Sequence, residues 1–95
     1  MFNRYRDMTA HIGQSVRLGV RMEGEPAPTA KWYKDGSPLE GVRDVYIDTD
    51  DYTSTLCIRR TAPAHSGEYE CVAKNEWGQS KLNMRVRVQG KTHAH

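Results

Sequence analysis

Gly67-Glu68-Tyr69-Glu70-Cys71 is the stretch whose reading decides the fold. Its alternation sets Tyr69 and Cys71, with Ala73 beyond them, on one face of a strand and two glutamates on the other. Upstream, Val16, Leu18, Val20 and Met22 alternate with the outward Arg17 and Arg21, which predicts a second half-buried strand. Ala30 and Trp32 face inward between Lys31 and Tyr33. Residues 53–59 place Leu56 and Ile58 inward and turn Cys57 outward. Leu82, Met84, Val86 and Val88 mark a last strand.

The segments between these strands carry turn chemistry. Residues 24–28 hold two prolines that cannot donate to a ladder, so they read as a connection. Asp35-Gly36 is a hairpin signal, followed by a short edge strand at Ser37-Pro38-Leu39. Val45 and Ile47 mark another strand, and residues 48–52 a turn. Residues 61–67 cross between sheets, and Asn75-Glu76-Trp77-Gly78 turns a hairpin. Residues 2–12 read as an edge strand or a split pair of short strands. Many short strands at regular spacing, with no helical periodicity, predict an all-β sandwich.

At 95 residues there is room for one domain, assigned to residues 1–90, with 91–95 as a tail or linker. The formal net charge of +2, from 14 basic and 12 acidic side chains, lacks the concentrated footprint of a nucleic-acid binder. No apolar run nears the roughly 18 residues of a membrane span, and no signal-peptide core is present. Neither nucleic acid nor membrane is expected as a partner. There is no Asn-x-Ser/Thr acceptor. With Cys57 outward and Cys71 inward, both read as free thiols, which suits a reducing compartment.

Taken together, Gly13, Val16, Leu18, Gly24-x-Pro26-x-Pro28, Trp32-Tyr33-Lys34-Asp35-Gly36, Leu56-x-Ile58, Gly67-x-Tyr69-x-Cys71 and Ala73-x-Asn75-x-x-Gly78 carry a resemblance. The chain resembles the intermediate (I-set) class of immunoglobulin domains over nearly its whole length. Within the class it is similar to the modules of giant muscle proteins, of the titin, twitchin, obscurin and myosin-binding protein type. The resemblance implies a two-sheet, Greek-key sandwich with Val16, Leu18, Val20, Trp32, Leu56, Ile58, Tyr69 and Cys71 at its core. It also implies that Val20 stands where the first cysteine of an inter-sheet disulfide would be, so that bond is not expected. The short stretch between Leu39 and Val45 leaves little room for the extra strands of a variable-type domain.

The same resemblance assigns structural roles to residues that invite chemistry. Tyr69 is expected to set its hydroxyl against backbone near residues 63–65, as a tyrosine corner. His65 stands where the family usually has an Asp that pairs with an Arg, here Arg43, and reads as a lost surface salt bridge. The histidines are too scattered for a metal site, and His93-Ala94-His95 is a loose tail without supporting ligands. Asp48, Asp50 and Asp51 lack the turn glycine and distal Glu of a calcium loop. No catalytic constellation, cofactor site or metal site is expected.

Two surface features remain. Trp77 at a hairpin tip either folds back on Pro26 and Pro28, the preferred reading, or anchors a partner. Lys81, Arg85 and Arg87 form an outward basic row on the last strand, extended by Arg4 and Arg6 on the first, which offers a steering surface for an acidic partner. The functional expectation is a non-enzymatic spacer and docking module, monomeric in isolation, in a cytosolic sarcomeric or cytoskeletal protein. Its partners would be flanking immunoglobulin or fibronectin-type domains and sarcomeric or cytoskeletal proteins. The rivals are an extracellular adhesion or receptor domain and a regulatory module attached to a muscle-type kinase.

Overall fold

Alternating burial explains why two sheets form and how they meet. The computed structural model describes residues 6–39 and 41–90, and only the backbone of Arg6. The strands are β1 (Arg6–His11), β2 (Val16–Arg21), β3 (Thr29–Lys34), β4 (Ser37–Pro38), β5 (Val45–Thr49), β6 (Thr53–Ile58), β7 (Gly67–Asn75) and β8 (Gly78–Gln89). One sheet runs β1-β8-β7-β3-β4 and the other β2-β6-β5. All neighbouring strands are antiparallel except β1, which lies parallel to β8. A short 3-10 turn, Pro63–His65, connects β6 to β7.

The inward faces are those the alternation specifies. Val16, Leu18 and Val20 of β2, Leu56 and Ile58 of β6, Trp32 of β3, and Tyr69 and Cys71 of β7 are all buried. Ala10, Met22, Leu39, Ala73, Leu82, Met84 and Val86 complete the core. Trp32 joins the layers by more than packing: its indole Nε1–H donates to Ser54 Oγ on β6 over 2.8 Å. Ser54 is itself fully buried, and its hydroxyl shares a second 2.8 Å bond with Thr49 Oγ1. A buried indole N–H needs such a partner.

β4 stops at Pro38 and β6 at Ile58, each one residue short of the sequence reading, and two further boundaries differ. β5 runs to Thr49 because Thr49 lies opposite Ser54 and bonds to it. The turn therefore begins only at Asp50, whose Oδ1 accepts the Thr53 hydroxyl and the N–H groups of Tyr52 and Thr53. The first strand is one segment, Arg6–His11, within the described residues; the reading of residues 2–5 lies outside them, as does the tail at 91–95.

The central motif is explained by its neighbours. Asp35 and Gly36 both have positive φ, 49° and 86°, the primed-turn geometry that suits a tight hairpin. The Asp35 carboxylate then reaches across to β7, where its Oδ1 accepts the Glu68 N–H over 3.0 Å. That approach explains Gly67: a Cβ there would lie 2.7 Å from Asp35 Oδ2. The Tyr69 hydroxyl donates to the His65 carbonyl over 2.6 Å, completing the corner, and burial pushes its phenol up to about 12.

Candidate interaction surfaces

The residues with chemical potential are occupied by architecture. Burial raises the Cys71 thiol to about 12, which keeps it protonated and inert. Cys57 is half-buried on the opposite sheet, and both cysteines are free. His65 replaces the expected Asp by another route. Its Nδ1 accepts the Ala62 N–H over 2.9 Å, while the His65 N–H donates to the Ala62 carbonyl over 2.8 Å. A ring nitrogen thus stands in for the carboxylate as acceptor, and Arg43 forms no ion pair with it among the described residues.

Trp77 is where the sequence reading needs correction. The residue is 78% exposed, so the ring does not fold back on Pro26 and Pro28. The hairpin occupies that contact differently: Asn75 Nδ2 donates to the Pro26 carbonyl over 3.0 Å. Asn75 Oδ1 also accepts the Trp77 N–H over 2.9 Å. One asparagine therefore fixes both the loop and the backbone of its tip, and the indole is left projecting into water. Tyr52, exposed at the same end, donates its hydroxyl to Glu25 Oε2 over 3.1 Å.

The row on β8 is present but its charge is not continuous. Lys81, Arg85 and Arg87 are all exposed. Arg85, however, donates through Nε and Nη2 to Glu68 Oε2 at 2.9 and 2.7 Å. On its other side the register sets Asp7 beside it. The middle of the row is therefore neutralised, and Lys81 and Arg87 stand apart. Arg4 lies outside the described residues, as does the side chain of Arg6.

A second cationic surface, not singled out from the sequence, lies on the smaller sheet. Its outward side chains include Arg17 and Arg21 of β2, Cys57 of β6 and Tyr46 and Asp48 of β5, with Arg59 just beyond β6. The Arg59 guanidinium stacks 5.7 Å from the Tyr46 ring centroid, and its Nη1 donates to the Tyr46 hydroxyl over 3.1 Å. The available signal was the period-2 placement of Arg17, Cys57 and Arg59 outward. Which of them become neighbours depends on register.

These surfaces can be set beside known proteins. The family model described as "Immunoglobulin I-set domain" matches residues 1–88. Neural cell adhesion molecule 1 of Bos taurus is 39% identical over 84 residues, which are 87% of this chain and 10% of that protein. The chain thus spans about a tenth of that relative's length. The crystal structure of the titin M3 domain matches with a TM-score of 0.86 at 34% identity, covering 95% of this chain and 96% of that one. A chain of the complex between titin M10 and an obscurin-like 1 Ig domain matches with a TM-score of 0.83 at 26% identity, covering 88% and 86%.

Proposed function

This chain belongs to the immunoglobulin I-set family, and from that premise we propose that it is a non-catalytic spacer and docking module of a cytosolic, sarcomeric or cytoskeletal protein. The carrying observation is the unbridged core. Cys71 is buried with its thiol free, and valine, not cysteine, occupies position 20. A secreted sandwich of this size gains roughly 2–5 kcal/mol from an inter-sheet disulfide, whereas a reducing compartment makes that bond dispensable. The likeness to titin domains supports the same direction, and the titin–obscurin-like complex illustrates such a domain bound to another. Here the module would act as a monomer between flanking immunoglobulin or fibronectin-type domains, with Trp77 as its projecting anchor.

The identity with a neural cell adhesion molecule favours a second reading, an extracellular adhesion domain. Antibody staining of the full-length protein separates the two. Striated or filamentous signal in permeabilised muscle cells, with none on intact cells, is the expected outcome; surface labelling of intact cells overturns the cytosolic assignment.

A further inference from the structure

We propose that the outer face of the smaller sheet is a docking groove for an acidic, partly apolar peptide segment of a partner protein. The proposal rests on the reading of this chain as a docking module and does not depend on its compartment. A shallow groove of about 420 Å³ is lined by Ser15, Val16, Arg17, Cys57, Ile58 and Arg59. Its walls are consecutive rows of the β2–β6 ladder, in which Val16 faces Ile58 and Arg17 faces Cys57. Ser15 Oγ donates to the Arg59 carbonyl over 2.9 Å and closes one end.

The charge on this face selects the occupant. Arg17, Arg21 and Arg59 project outward against Asp48, with Asp44 near Arg59, so the surface is cationic in a molecule whose formal net charge is only +2. Arg17 and Arg21 form no ion pair among the described residues. Arg59 is pre-ordered by the Tyr46 ring and hydroxyl, which reduces the rotamer entropy lost when it meets a ligand. Arginines in this state suit carboxylates, which accept paired N–H groups from a guanidinium. Val16 and Ile58 turn their side chains into the core and contribute only backbone here, so the apolar base of the groove comes from the half-buried Cys57 and the methylene stems of Arg17 and Arg59. An aliphatic side chain flanked by carboxylates matches both features. A sulfated oligosaccharide would satisfy the arginines and leave the apolar base without a partner.

The test uses the folded chain, isotope-labelled for NMR. Its probe is a capped hexapeptide of sequence Glu-Glu-Leu-Glu-Glu-Leu, compared with the same peptide carrying Lys for Glu or Ala for Leu. A heparin-derived hexasaccharide completes the set. The expected result is saturable amide shifts at Ser15, Arg17 and Cys57, with slower alkylation of the Cys57 thiol. Affinity should fall about tenfold or more in Arg17→Gln, the scale of a lost hydrogen bond to a charged group, and recover partially in Arg17→Lys. It should also fall when Ala replaces Leu, and with added salt. The proposal is overturned if shifts fall instead on Lys81 and Arg87, if Arg17→Gln binds unchanged, or if the Lys peptide binds equally. It is likewise overturned if the hexasaccharide binds this face while the acidic peptide does not. Failure here leaves the antibody result intact, so the two readings fail separately.

Discussion

The outer faces of the two sheets both carry basic side chains yet present them differently. On the larger sheet Arg85 lies between Glu68 of β7 and, in register, Asp7 of β1. Its charge is largely spent within the fold. On the smaller sheet Arg17 faces Cys57 and Arg59 rests on a tyrosine; Asp44 lies near Arg59, but neither arginine forms an ion pair among the described residues. The difference lies in register, because a cross-strand neighbour of opposite sign converts a candidate binding charge into a surface ion pair. Counting basic residues along β8 alone does not reveal this, and it overvalues that row as a binding surface.

The largest test breaks the link between the two faces. Trp32→Ala removes the buried ring that joins β3 to β6 and should cost about 3–5 kcal/mol, as deletion of a core aromatic does. Denaturant unfolding reads it, and a loss well under 1 kcal/mol would mean that the layers do not meet at Trp32. Ser54→Ala isolates the polar component of that link. It leaves the indole N–H buried without its acceptor and should cost about 1–3 kcal/mol. A stability equal to the parent's would show that water replaces the serine.

Smaller effects sharpen the contrast. Glu68→Gln should change stability by only about 0–1 kcal/mol, since the pair it breaks is exposed. It should nonetheless raise peptide binding to the larger sheet, seen as new shifts at Arg85 and Arg87. If the β8 shifts stay absent, discharge by Glu68 is not what silences that face. Trp77→Ala should change stability by less than about 0.5 kcal/mol, as surface substitutions do. A loss of several kcal/mol would contradict the exposed ring.

Each sheet also has an acid-sensitive turn. Asp50 is held below the ordinary carboxylate range by the Thr53 hydroxyl, then by the N–H groups of Tyr52 and Thr53. Asp35 is lowered by the Glu68 N–H, then by the Lys34 ammonium. A depressed folded value means that the stabilisation is present above the unfolded value and is lost as pH falls through the folded one. Urea midpoints should therefore drop below about pH 4, the usual carboxylate range. Asp50→Asn and Asp35→Asn should each flatten that slope slightly; an unchanged slope in both would remove these turns as its origin.

What the sequence disclosed follows from locality. The alternations of β2, β6, β7 and β8 identified the buried face, because period-2 burial is written into consecutive residues. Val20, Tyr69 and the opposite facing of Cys57 and Cys71 could be read for the same reason. Ser54 was missed although it occupies the inward position before Leu56 and Ile58; its polarity hid it, and its partner is 22 residues away. The fate of Trp77 was not legible, since Asn75 rather than the indole took the contact with Pro26. The state of Arg85 depended on Asp7, which only the β1–β8 register brings alongside.

That parallel register has a mechanical meaning. Tension along a chain containing this domain would pull β1 by its start and β8 by its end, in opposite directions along a common axis. The paired positions from Arg6–Met84 to His11–Gln89 would then be sheared together, each carrying a share of the load. The antiparallel β7–β8 hairpin, opened from its ends, would instead unzip rung by rung. By the direction of a single strand, the fold has placed its collective resistance between the two ends of the chain.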